Sequence, residues 1–120
     1  WTPLKLYEIA SPRERWLRMF EQMRAAGLDS PIDRPDFPIE LFTVPEAQVT
    51  TSVDVSQYLG RKRDALRVHR TQIAADGPFL NMPEELQREL NDREFFTLLA
   101  ARVPLPPRDG PEDDLFAGLR

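Results

Sequence analysis

Twelve prolines divide this chain of 120 residues into short pieces, and four of them, Pro31, Pro35, Pro38 and Pro45, fall in one stretch without hydrophobic periodicity. Proline fixes φ and has no amide hydrogen to give, so neither a continuous helix nor a central strand can run through residues 29–46. A long loop is expected there. A second proline-rich stretch begins at Pro104 and is acidic until Leu115 and Phe116, which are expected to pack back as a terminal anchor. The chain is therefore read as a body, residues 1–103, followed by a proline-rich acidic tail, residues 104–120.

Between these interruptions the elements follow from periodicity. Residues 4–9 are mostly apolar, contain Tyr7, and stop at Ser11-Pro12, as a strand does. Ser11 and Glu14 have capping-box spacing, and Pro12 suits a first helical turn, where the amide would be unpaired anyway. Trp16, Leu17, Phe20 and Met23 recur at helical spacing up to the stop signal Gly27, which predicts a helix over about 12–26. Val49, Thr51 and Val53 alternate with polar neighbours and predict a second strand ending near Val53. Asp54 and Gln57 offer a second capping box for a helix running to about Ile73. After the turn signal Asp76-Gly77-Pro78, residues 83–90 fit two helical turns with Leu86 and Leu90 inward. Residues 94–101 are a continuous apolar run that fits helix or strand equally well.

Composition narrows the function classes. With 41% hydrophobic and 30% charged residues the chain is apolar enough to fold. Arg61, Lys62, Arg63, Arg67 and Arg70 cluster, but the net charge is −4, which argues against nucleic acid as a partner. The absence of cysteine rules out disulfides and thiolate metal sites, and no apolar run is long enough for a membrane span. The expected location is cytoplasmic; no secretory signal is visible, although the chain opens at Trp1 rather than methionine.

The residue 54–73 helix carries the most information. At 100° per residue Tyr58, Leu59, Lys62, Ala65, Leu66, His69, Gln72 and Ile73 share one stripe, while Arg63, Asp64, Arg67, Arg70 and Thr71 lie opposite. Buried Lys62, His69 and Gln72 would each need a partner. They serve either architecture alone, with Lys62 reaching past the core edge, or the rim of a cleft. Lys62-x-x-Ala65-Leu66-x-x-His69-x-Thr71-Gln72 resembles the C-terminal helix pattern of the LmbE/PIG-L zinc-dependent de-N-acetylases. Its context agrees: Lys5-Leu6-Tyr7 opens a strand before the first helix, the strand from Val49 precedes the motif, and Phe95-Phe96 follow it. The closing Asp113-Asp114-Leu115-Phe116-Ala117-Gly118-Leu119 is similar to the end of actinobacterial members. The long loop and tail are most like the mycothiol-related branch, the deacetylase and the S-conjugate amidase.

The resemblance implies an α/β fold: the C-terminal portion of a Rossmann-like domain, arranged strand, helix, loop, strand, helix, then a short helix and a terminal strand or helix. It implies a hydrolase that removes an N-acyl group from a glucosamine-type substrate with a zinc-activated water and an aspartate base. The family's His-Pro-Asp-Asp metal motif does not occur here, and His69 is the single histidine. The resemblance thus places the Zn2+ ligands outside this chain, makes the N-terminal half of the same protein its partner, and leaves the chain alone inactive. Its own contribution would be scaffold and active-site rim, with His69, Gln72, Phe79 and Asn81 as substrate-binding candidates and no catalytic or metal residue. Homo-oligomerisation is left open. The alternative is a non-catalytic helical interaction module, which would need a stable isolated fold with an exposed apolar patch.

Overall fold

The computed structural model describes residues 1–119, and the side chains of all of these except Pro78 and Phe79. It is a mixed α/β arrangement around a three-stranded antiparallel sheet. Strand β1 is Lys5–Ala10, β2 is Thr51–Asp54 and β3 is Arg93–Ala101; the order is β1-β3-β2. Helix α1 is Arg13–Ala25, α2 is the single turn Ile39–Phe42, α3 is Leu59–Val68, α4 is Pro78–Asn81 and α5 is Glu84–Asn91.

The apolar run left open by its periodicity is β3, the longest strand and the central one. It is antiparallel to both neighbours, with Ile9 and Thr51 flanking Phe96 on either side. Pairing on both edges satisfies its backbone groups, while its side chains, which project to the two faces of the sheet, are half-buried along most of the strand. Arg93 secures its start, donating from Nε to Ser52 Oγ at 2.6 Å and from Nη2 to the Ser52 carbonyl at 2.7 Å.

Helix α1 supplies most of the core. Met19, Phe20 and Met23 are buried against Leu86 of α5, with Trp16, Phe37, Ile39 and Leu90 packed around them. The proline-rich loop is held by its aromatic residues: Phe37 meets Phe20 edge-on at 5.5 Å between centroids, and Phe42 meets Trp16 at 5.9 Å. Such pairs add about 0.5–1.5 kcal/mol beyond their buried area, which is how a segment without a ladder of its own stays fixed. Arg15 reaches the Glu89 carbonyl and the Asp92 carboxylate, tying α1 to the turn between α5 and β3.

The first capping box does not form. Pro12 is the cap of α1, without a side-chain hydrogen bond. The flanking backbone is used instead: the Val44 amide donates to the Ser11 carbonyl and the Arg13 amide to the Val44 carbonyl, at 2.9 and 2.8 Å. Glu14 accepts from the Glu46 amide, so a long-range loop contact displaces the local cap. At the other end Gly27, at φ 74°, closes α1 as expected. Its amide donates to the Arg24 carbonyl, and that of Leu28 to Met23, the paired bonds of a Schellman stop.

The tail is tied down mainly by a residue not singled out in the sequence. Glu112 is 2% exposed and pairs in parallel with the outer edge of β2: the Ser52 amide donates to its carbonyl at 2.7 Å, and its own amide donates to the Thr50 carbonyl at 2.8 Å. Its carboxylate accepts from Lys5 Nζ at 2.6 Å, Tyr7 OH at 2.5 Å and Thr51 Oγ1 at 3.0 Å, and Arg108 approaches to 3.4 Å. Lys5 also donates to the carbonyls of Leu115 and Ala117. Leu115 is half-buried and Phe116 is 59% exposed, so the polar anchor does more here than the apolar pair expected for that role. Gly118 lets the end of the tail turn against Pro104: a Cβ there would lie 2.5 Å from the Pro104 carbonyl oxygen, at a φ of +81°.

Burial opposes charge on both partners, yet their hydrogen bonds outweigh it. Glu112 is held below the usual carboxylate range by Lys5, Tyr7 and Thr51, and Lys5 is held above its usual value by Glu112 and Tyr7. Burial and the adjacent carboxylate both push the Tyr7 phenol up. A depressed acid contributes stability that is complete above its unfolded value, about 4.3, and is lost as pH falls through the folded value. A raised base contributes stability that is complete below about 10.4 and is lost as pH rises through the folded value. Melting temperature against pH should therefore show a plateau bounded on the acid side by Glu112 and on the alkaline side by Lys5 and Tyr7. Glu112→Gln should flatten the acid limb. Glu112→Ala should cost about 3–5 kcal/mol in urea unfolding, because it leaves the Lys5 ammonium buried without its counter-charge.

Candidate functional site

The candidate residues lie along one connected segment, from the C-terminal end of α3 through the turns at 69–77 to α4. α3 is preceded by a 3-10 turn, Ser56–Tyr58, and the Asp54 carboxylate accepts from the Ser56 amide at 2.9 Å rather than completing a box with Gln57. The helix stops at Val68, five residues before the expected end. The amides of Gln72 and Ile73 both donate to the His69 carbonyl, closing a separate turn. A helix end is sustained by packing of its apolar face. Here Ala65, Val68, His69 and Gln72 are exposed, so the last turn has little to pack against.

His69 therefore departs from the expectation that it points inward. It is the exposed C-cap of α3, and its Nδ1–H donates to the Ala65 carbonyl at 2.8 Å, satisfying one of the carbonyls that a helix end leaves unpaired. Gln72 is exposed as well. Asn81 is exposed and donates through Nδ2 to the Ala75 carbonyl at 3.1 Å, bracing the turn that precedes α4. The side chain of Phe79 lies outside the described residues. Gln87 of α5 holds α4 in place by donating to the carbonyls of Leu80 and Met82, at 3.3 and 2.8 Å. His69, Gln72 and Asn81 are thus each exposed, along the segment that runs from the end of α3 to α4.

Lys62 finds the partners its position demands. Nζ donates to the Asn91 carbonyl at 3.1 Å and lies 3.2 Å from the Glu94 carboxylate, linking α3 to the junction of α5 and β3. Beside it an open groove of about 820 Å³ runs between α3 and α5, lined by Leu59, Lys62, Arg63, Leu66, Gln87 and Asn91 among others. The buried Arg63 Nε has no hydrogen-bond partner. The groove does not include His69, Gln72 or Asn81.

A zinc site does not fit the side chains present. Among the described residues no group of three or more His, Cys, Asp or Glu is placed to hold a metal ion, and one exposed histidine with scattered carboxylates is a poor donor set for zinc. Among those residues, too, no helix is long and apolar enough to cross a membrane.

Comparison with known proteins gives a consistent answer along nearly the whole chain. It is 38% identical over 116 residues to a 1D-myo-inositol 2-acetamido-2-deoxy-alpha-D-glucopyranoside deacetylase of Acidothermus cellulolyticus, covering 96% of this chain and 39% of that protein. The proteins of the same name from Geodermatophilus obscurus and Thermobifida fusca are 37% and 36% identical, over 99% and 98% of this chain and 40% and 41% of their own lengths. The chain thus spans about two-fifths of the length of the curated relatives it matches. No protein-family model matches, nor does any solved structure at a significant level.

Because His69 is exposed and its ring bond is local, His69→Ala in this chain should change unfolding free energy by no more than about 0.5 kcal/mol. Urea titration of the two proteins checks this, and a loss of several kcal/mol would mean that the ring is buried.

Proposed function

We propose that this chain, a relative of the mycothiol-related deacetylases of the LmbE/PIG-L family along nearly its whole length, is the C-terminal segment of a zinc-dependent hydrolase. The complete protein would have a Rossmann-like α/β domain and remove the N-acetyl group of a 2-acetamido-2-deoxyglucopyranosyl inositol, the substrate class named for the relatives. The observation that carries this reading is the match of almost all of this chain to well under half of each relative. With no metal-holding group among the described residues, this reading gives the chemistry to the part outside the match and the matched part a supporting role.

The exposed polar residues between α3 and α5 fit that division of labour. His69, Gln72 and Asn81 present hydrogen-bonding groups on one exposed segment, suited to the hydroxyls of a sugar or inositol ring. Zinc would be held by residues outside this chain and would supply the activated water there; no side chain described here is placed to take a proton from it. Residues 1–103 would contribute scaffold and rim, with 104–120 as a strap fastened at Glu112.

The test begins with the reading frame, which is expected to extend upstream through a His-Pro-Asp-Asp motif. The full-length protein should bind zinc and release acetate from the acetamidoglucosyl inositol, while the 120-residue chain alone should do neither. In the full-length protein His69→Ala and Gln72→Ala should each lower kcat/KM by roughly tenfold, the worth of one hydrogen bond near 1.4 kcal/mol, with zinc content and melting temperature unchanged. Loss of zinc from a folded His69→Ala protein would make His69 a metal ligand and overturn the rim assignment.

A further inference from the structure

We infer that the outer edge of β1 is a docking edge, to which a strand from the part of the same polypeptide lying outside this chain adds and continues the sheet. This rests on the reading that the chain is a segment of a longer deacetylase.

The three strands differ in how their edges are used. β3 is paired on both sides, and β2 is paired with β3 on one side and bridged by Glu112 on the other. β1 pairs with β3 alone, and among the described residues no strand lies along its other edge. An open edge is a template for pairing, and proteins that keep one in water blunt it with lysine, proline, bulges or inward-pointing charge. β1 carries a register shift between Leu6 and Tyr7 and one exposed carboxylate, Glu8, but its lysine is spent on Glu112 and its other exposed side chains are apolar. Ile9 is 81% exposed, Leu6 52% and Leu4 50%. A groove of about 360 Å³ lies over the neighbouring β3 beside Ile9, lined by Arg15, Trp16, Lys62, Leu90, Phe95 and Phe96 among others.

The occupant is indicated by length. More than half of each relative lies outside the match, enough for a body of its own to which this sheet could be joined. Antiparallel strands commonly form the margin of larger α/β sheets. Strand addition satisfies the backbone groups of the edge and covers Leu6 and Ile9 in one step.

Residue-resolved hydrogen exchange on the full-length wild-type protein tests the proposal without a variant. The alternate β1 amides that point away from β3 should exchange at least roughly a hundredfold slower than free-chain rates, independently of protein concentration. Cross-strand proton contacts should connect them to residues outside this chain. Exchange of those amides at free-chain rates would overturn the proposal. So would protection that appears only as concentration rises and a dimer forms in sedimentation, since the edge would then belong to a second copy. As a second arm, Ile9→Lys should lower the melting temperature of the full-length protein by several degrees, whereas Leu41→Lys, at an 86% exposed position on α2, should not; equal, small effects would count against the edge. Deacetylase activity with an unprotected edge would refute the docking and leave the functional reading standing. A protected edge in a protein inert toward the acetamidoglucosyl inositol would do the reverse.

Discussion

The buried Glu112 carboxylate is the constraint on which the arrangement of the two ends depends. It takes hydrogen bonds from Lys5 and Tyr7 on β1 and from Thr51 on β2, while its backbone bridges β2, so one residue of the tail touches both outer strands of the sheet. A carboxylate in that position would be strongly unfavourable alone. With a lysine at 2.6 Å and two hydroxyl donors its lone pairs are largely engaged, and the same contacts order the tail between Arg108 and Ala117. A buried ion pair of this kind is a weak source of net stability but a strong source of register, because sliding the tail by one residue would bury the charge without its partners.

The hydrophobic core lies elsewhere, between α1 and α5, and is small. Met19, Phe20, Met23 and Leu86 form it, and Phe37 and Phe42 bring the proline-rich loop over one side. Arg15 connects this cluster to the sheet: its side chain reaches the Glu89 carbonyl and Asp92, and its guanidinium lies 5.2 Å from the centre of the Phe95 ring. The sheet is thus fixed by polar contacts on the tail side and by α1 at the Phe95 end of β3. The outer edge of β1 is left to neither.

Elements set by local pattern were legible in the sequence. The period-two run ending at Val53, the helical spacing of Trp16, Phe20 and Met23, the Gly27 stop and the inward Leu86 all match the structure within a few residues. What was not legible depends on partners distant in sequence. Ser11 and Glu14 have the spacing of a cap, but Val44 and Glu46 supply the contacts instead. Nothing around Glu112, an acidic residue between a proline and two aspartates, marks it as buried; its lysine partner is 107 residues away. The run at 94–101 could be settled only by the two strands that flank it. In the candidate site the polar residues were recognisable by type, but their exposure was not, since His69 lies on the apolar stripe by angle and beyond the helix end in space.

That mismatch on α3 has a physical meaning. A stripe of Leu59, Lys62, Ala65, Leu66 and His69 is patterned as a buried face, yet Ala65 and His69 are exposed and the groove beside Leu59 and Leu66 is open. Tyr58, also on the stripe, is 45% exposed, and Val68, in the last turn, is 74% exposed. Burial patterns reflect the surroundings in which a helix works, and an amphipathic face without a cover gains nothing from its apolar residues. The same holds for Leu6 and Ile9 on β1. Two elements at different places in the fold thus carry apolar surface beyond what this chain covers, as expected of a segment whose relatives are more than twice as long. His69 caps that uncovered helix, and Gln72 and Asn81, both exposed, follow it along the chain.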